Sequence, residues 1–179
     1  MEKQWLNTIM KEINIRDIKK SAVELISDNW GLVTAGNEEK FNTMTVSWGG
    51  LGEIWGKDAV FIFIRPQRYT FEFIEKEELF TLSFYEAEYK DALKICGSKS
   101  GRDIDKAKEC GLTPDSDRND SGRAVWFDEA RLVIKAKKLY AEWIKPESMT
   151  DPAPMYTYAN GDFHKMYVCE ITDVLVKEA

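Results

Sequence analysis

Six consecutive apolar residues, 59–64, lie inside the segment DAVFIFIR (58–65), and Pro66 stops them. An uninterrupted run of this length, closed by a residue that cannot donate to a sheet, reads as an internal strand covered on both faces. The surrounding chain supplies partners for it. WGLVTAG (30–36), LFTLSFY (79–85), AVWFDEA (124–130), the unusually long RLVIKAKKLYAEWI (131–144) and FHKMYVCEITDVLV (163–176) all read as strands. Helices are expected over 17–28, with Ile18, Val23, Leu25 and Ile26 on one side, over 70–78, over 88–96, and from about Ser100 onward. DSDRNDSG (115–122) reads as a polar turn and residues 145–162, rich in proline and turn formers, as a long loop. About six strands with helices between them, in no regular strand–helix alternation, predict a mainly β, predominantly antiparallel barrel with helical excursions. No repeat or linker divides the chain, so one domain over 1–179 is expected.

Charge narrows the partners. With 25 basic and 31 acidic residues the net charge is −6, which argues against nucleic acid and against an anionic membrane surface. No apolar run approaches the roughly 20 residues of a membrane helix, and the opening MEKQWLNTIMKEINIRDIKK has no signal-peptide core. Three widely spaced cysteines, Cys96, Cys110 and Cys169, form no Cys-x-x-Cys pair. Free thiols in a reducing cytoplasm are the simplest reading.

Three stretches could carry chemistry. In FNTMTVSWGGLGEIWG (41–56) a period of two sets Met44, Val46 and Trp48 against Thr43, Thr45 and Ser47, with three glycines close behind. A ladder of short hydroxyls leaves room for something flat or polar against the backbone; an edge strand using threonine for its β propensity would look the same. In RPQRYTFEF (65–73) Thr70 is a candidate N-cap, and Arg65 and Arg68 beside a helix N-terminus make a phosphate seat, unless they merely pair with Glu72 or Glu75. In GSKSGRDIDK (97–106) Ser100 and Asp103 fit a helix start, with Lys99, Arg102 and Lys106 on its first turns. A solvated basic turn is the alternative.

Sharper motifs fail. GSKSG has lysine where a nucleophile elbow needs serine and lacks a Walker ending, and GGLGEIW has Trp55 where a dinucleotide fingerprint needs its third glycine. One histidine, His164, and scattered cysteines disfavour a structural zinc, and no metal site is expected. What remains is a protein that holds a reactive cofactor.

In this order, LVTAG, FNTMTVSWGGLGEIW, FIRPQRYTFEFI, FTLSFY, SGRDIDK and GDFHKMYVCEI resemble the flavin reductase-like family, in particular its flavoredoxin branch, over roughly residues 30–175. The resemblance implies a split β-barrel that binds FMN non-covalently, usually as a homodimer with the flavin near the subunit interface. It implies that backbone amides of Met44, Thr45, Val46, Ser47 and Trp48 meet the ring edge, with the Thr45 and Ser47 hydroxyls beside it. Arg65, Arg68 and Thr70, with Tyr69 in the same motif, would receive the phosphate, and Ser100 and Lys106 match the later motif. His164 is the candidate catalytic residue facing a nicotinamide, although Phe163 interrupts the shorter Gly-Asp-His pattern. Members either reduce flavin with NADH or NADPH or relay electrons to a protein partner, and both activities are expectations for this chain. The extended 131–144 strand and the loop 146–162, with Met149, Met155, Tyr156 and Tyr158 expected at the surface, suggest a homodimer interface.

Overall fold

The apolar run becomes the core of β5 (Lys57–Ile64), where Ala59, Val60, Ile62 and Ile64 are buried while Phe61 and Phe63 are half-buried. Cover on the second face is therefore incomplete, and Phe63 borders a cleft described below. In the computed structural model, residues 10–116 and 124–178 are described. Residues 117–122 of the expected polar turn lie outside them.

The strands β1 (Met10–Glu12), β2 (Gly31–Gly36), β3 (Phe41–Val46), β4 (Gly49–Ile54), β5, β6 (Leu79–Phe84), β9 (Leu132–Trp143) and β10 (Lys165–Lys177) form one antiparallel sheet. Its path is β3-β2-β6-β9-β10-β5-β4, and a separate pair joins β7 (Pro114–Ser116) to β8 (Val125–Phe127). The two ends of the path, β3 and β4, are consecutive in the chain and linked only by Ser47 and Trp48, so the barrel is split rather than closed. Two register shifts interrupt the β9–β10 pairing, one with the extra residue Leu139 on β9 opposite Val168/Cys169 and one with Thr172 on β10 between Ile171 and Asp173, and they bend these long strands. The first half of β10 pairs with β5 and its last residues with β1.

Every residue of β2 is buried. Val33 and Ala35 face an inner cluster with Val60, Ile62, Leu82 and Ile134, whereas Leu32 faces a second cluster with Leu93, Cys96, Phe127 and Val133. Helix α1 (Tyr69–Lys76) packs Phe73 and Ile74 into the first cluster, and α2 (Lys90–Ser98) packs Leu93 and Cys96 into the second. Each fully buried side chain of this size contributes roughly 1.5–3 kcal/mol of transfer free energy. Helix α3 (Lys106–Cys110) lies against α2. Helices α1 and α2 pack against β3, and α3 reaches it through the Lys106 side chain.

Several elements differ from expectation. The segment 17–28 is not one α-helix: a 3₁₀ turn at Ile15–Asp17 precedes a π-helical stretch, Glu24–Asn29. Leu25 and Ile26 are buried there, but Val23, which caps the stretch, is 71% exposed. The N-cap of α1 is Arg68, not Thr70. Helix α3 starts at Lys106 instead of Ser100, because the Asp105 side chain accepts the Lys108 amide and caps it there. GGLGEI forms β4, paired with β5 through a two-residue turn in which Trp55 (φ 57) and Gly56 (φ 69) are both left-handed. In the long loop, short 3₁₀ turns occupy Pro146–Ser148 and Ala153–Tyr158, and Tyr158 is buried, contrary to its expected exposure.

Candidate functional site

Strand β3 is an edge strand, and its outer side is where the sequence placed the site. Antiparallel pairing alternates, so residues whose groups are not used by β2 point to the open edge. Thr43 is one of these: its hydroxyl lies 2.9 Å from that of Thr34 across the pair, and its carbonyl accepts a bond from Lys106 Nζ at 2.8 Å. By the same alternation Thr45 presents its backbone groups outward. Its side chain is already engaged, since Oγ1 donates to the Leu93 carbonyl of α2 at 2.5 Å. Thr45 thus tethers the helix, while Met44 and Val46 anchor the strand in the inner cluster.

Two cations converge at the C-terminal end of α2. Lys106 Nζ donates to the Cys96 carbonyl at 2.8 Å as well as to Thr43, and Arg68 Nη2 reaches the same Cys96 carbonyl at 3.4 Å. Lys106 is 5% exposed and Arg68 half-buried. Among the described residues neither meets a carboxylate. Burial, aided by the nearby Arg68 charge, lowers the Lys106 ammonium to about 8, and burial lowers Arg68 as well. Two partly desolvated positive groups without a counter-charge make a place where an anion is stabilised. Helix α1 begins at the residue after Arg68; its Phe71 amide donates to the Arg68 carbonyl at 2.9 Å, and the positive end of the helix adds to the same field.

Arg65 does not join them. It is bonded to Asp162 and, through Nη2, to the Thr157 carbonyl at 2.9 Å, while Gln67 Nε2 donates to Asp162 at 2.7 Å. These bonds hold the Asp162 carboxyl below its ordinary range. Arg65 instead lines a cleft of about 160 Å³ together with Met44, Thr45, Val46, Ser47, Trp48, Phe63 and His164. Half-exposed Trp48 lies 5.0 Å from the His164 ring, and Tyr158 Oη is 3.0 Å from His164 Nδ1. The inserted Phe163 stacks on Tyr158 at 4.6 Å. Burial, followed by the Arg65 charge, lowers His164 to about 4, so the imidazole is neutral at pH 7. It cannot serve there as a standing cation.

The remaining expected residues are more dispersed. Tyr69 and Lys106 line a second hollow of about 480 Å³ with Asn42, Gly101 and Arg102, and the Arg102 guanidinium lies 4.6 Å over the Tyr69 ring. Thr70 is wholly buried and accepts a bond from Asn42 Nδ2 at 2.7 Å. Ser100 Oγ accepts the Arg102 amide at 3.2 Å and lines neither hollow. Sequence reading missed Asn42, Phe63, Tyr158 and Asp162. Asn42 belongs to the quoted FNTMT stretch and Asp162 to GDFHK, so both were visible; only their partners were not.

The profile of the flavin reductase like domain matches residues 24–179. The chain belongs to this family. This flavin reductase-like domain shares its fold with an FMN-binding domain of a flavin reductases-like enzyme from Shewanella baltica OS155 (TM-score 0.65, 16% identity, 95% of this chain and 78% of that one). It is equally similar in fold to flavoredoxin of Desulfovibrio vulgaris (Miyazaki F) (TM-score 0.65, 22% identity, 95% and 78%). The styrene monooxygenase flavin reductase from Pseudomonas putida S12 superposes with a TM-score of 0.58 at 12% identity, over 84% of this chain and 80% of that one. Comparison with curated proteins returned no match. The split barrel of the flavin reductase-like domain is thus retained at low sequence identity.

Proposed function

We propose that this flavin reductase-like domain binds FMN along the outer edge of β3 and acts as an NAD(P)H-dependent flavin reductase. The observation that supports this most is the Arg68–Lys106 pair, a half-buried and a buried cation that meet no carboxylate among the described residues, with Lys106 bonded to the β3 edge through the Thr43 carbonyl. The residues fit the cofactor's two ends: a phosphate dianion suits the cation pair, and a flat ring suits an edge that offers backbone groups and small side chains. FMN, when bound, would supply a two-electron acceptor for a hydride from a reduced nicotinamide.

The protein's own contributions follow from the geometry. Lys106 and Arg68 hold the anionic end, and the edge around Met44–Trp48 orients the ring by hydrogen bonds. Trp48 and Phe63 keep water from one side of the cleft. His164, neutral and fixed through Nδ1 by Tyr158, offers only its Nε2 for a hydrogen bond. In this reading Arg65 steadies Asp162 and the 157–164 segment beside the cleft, and is not itself a phosphate ligand.

A second reading, an FMN electron carrier serving a redox protein, is favoured by the size of the cleft. The cleft beside Met44–Trp48, at about 160 Å³, falls below the 300–1,000 Å³ usual for small-molecule sites, and the 480 Å³ hollow lies on the Lys106 side rather than over this cleft. A homodimer would supply a further wall, and Leu139, Tyr140 and Trp143, exposed on the outer half of β9, support that assembly. Three free thiols suit a reducing cytoplasm. The test is to mix protein, FMN and either NADH or NADPH and follow nicotinamide absorbance. Turnover supports the reductase; a flavin-loaded protein that is reduced only by dithionite or a reduced redox protein supports the carrier.

A further inference from the structure

The corner where α2 meets α3 holds a pair of groups that flavin binding does not use. Cys96, in the last turn of α2, is fully buried, and Cys110, the last residue of α3, is half-buried. Their Sγ atoms lie 3.8 Å apart. Cys169 is buried on β10, away from both, so the three thiols divide into one pair and one isolated group. A disulfide needs an S–S separation of about 2.05 Å, so the sulfurs must approach by somewhat less than about 2 Å. Helix α3 is five residues long and follows the 100–104 turn, so a shift of that size falls on a short element rather than on the sheet.

We propose that Cys96 and Cys110 form a redox-active dithiol, closed to an internal disulfide by exchange with a low-molecular-weight disulfide. Cys110 reacts first, because it is the more exposed. It loses its proton, and its thiolate attacks one sulfur of the external disulfide, forming a mixed disulfide and expelling one small thiolate. Cys96 then loses its proton and attacks Cys110 Sγ, closing the internal bond and expelling the second small thiolate. The protein dithiol is oxidised by two electrons, the external disulfide is reduced to two thiols, and the two protein protons end on those thiols.

The electrostatics set the rate. Burial pushes Cys96 up to about 12 and also raises Cys110, so exchange is slow near neutrality. The Lys106 ammonium opposes this at both sulfurs, and Lys99 opposes it at Cys110. Closure would tie both ends of α3 to one residue of α2. Lys106 Nζ already holds the Cys96 carbonyl, and the disulfide would join Cys110 to the Cys96 sulfur. The corner carrying Lys106 would then have a looser reduced form and a cross-linked oxidised form.

The experiment uses the folded full chain, reduced and then incubated at mildly alkaline pH with excess oxidised glutathione, with and without FMN. Thiols are counted after acid quenching, and intact mass is recorded. The expected result is a fall from three thiols to one, with loss of two hydrogens and no retained glutathione. Cys110→Ser should keep both its thiols, Cys96→Ala should retain one glutathione on Cys110, and Cys169→Ala should close like the wild type. A wild type that keeps three thiols, or ends as a stable glutathione adduct, overturns the proposal. The readout does not depend on flavin, so it stands or falls separately from FMN binding.

Discussion

Lys106→Met gives the most informative perturbation of the cation pair. In the flavin-free fold the ammonium is lowered from 10.5 to about 8, first by burial and then by Arg68. A group lowered in this way holds fewer protons folded than unfolded between those values. The fold therefore carries a penalty that is complete below about pH 8 and relieved as pH rises toward 10.5. At about 1.4 kcal/mol per pH unit the penalty is about 3.5 kcal/mol at most. A phosphate dianion beside the group would offset it and raise the ammonium again, so FMN binding should take up a proton near pH 8. FMN affinity should then be highest between about pH 6, below which the phosphate is protonated, and about pH 8, and fall above it. Lys106→Met should weaken FMN binding roughly 10- to 100-fold at pH 7, corresponding to about 1.5–3 kcal/mol for a charge-assisted hydrogen bond. It should also remove the decline above pH 8. Titration of protein into FMN, followed by flavin fluorescence across pH, reads both effects. If riboflavin affinity fell by the same factor, Lys106 would be acting only as a strut between β3 and α2.

Arg68→Ala should also cost roughly tenfold to a hundredfold in FMN affinity and leave riboflavin nearly unchanged; an equal loss for both flavins in the same titration would make the arginine structural. Gly101→Ala places a Cβ 1.9 Å from Asn42 Oδ1, which must swing away and break its bond to Thr70. A loss of about 1–3 kcal/mol in urea unfolding is expected, and an unchanged midpoint would show that the turn yields freely. His164 is lowered to about 4, chiefly by burial and then by Arg65, so the unfolded chain binds its proton first. Stability should be lost as pH falls from about 6.5 toward 4, by no more than about 2 kcal/mol once water in the cleft is allowed for. His164→Gln should flatten that part of the urea midpoint's pH profile, and identical wild-type and variant profiles would rule the histidine out as its source.

The parts of the fold legible in the sequence are those with dense apolar or β-branched runs. β2, β5, β6, β9 and β10 can be read from local pattern. β4 cannot, because three of its six residues are glycine and its turn places a tryptophan at positive φ where Asn-Gly would have been recognised. The start of the helix at Lys106 is obscured in the sequence because Ser100 and Asp103 imitate a cap while Asp105 forms it. For the candidate site, Met44–Trp48 line one cleft because neighbouring residues in a strand stay neighbours in space. The arginines of RPQRYT read as one seat because both stand beside a helix N-terminus in the sequence. In the fold their partners differ, Arg65 meeting Asp162 across 97 positions and Arg68 meeting the Cys96 carbonyl across 28. No local motif encodes such separations. The convergence of Lys106 and Arg68 on one carbonyl is likewise a property of α2 packing on β3, anchored by the Thr45 hydroxyl.

The central claim is that a flavin phosphate occupies the place left by the missing counter-charge at Arg68 and Lys106. Calorimetric titration of the purified chain with FMN and, separately, with riboflavin at pH 7 tests it directly. Both ligands carry the same ring, so their difference isolates the phosphate. The account predicts one FMN per chain, bound at least roughly tenfold tighter than riboflavin, with the difference shrinking as salt is added or as pH rises above about 8. Equal affinities for the two flavins, or no FMN binding below the millimolar range, would contradict it.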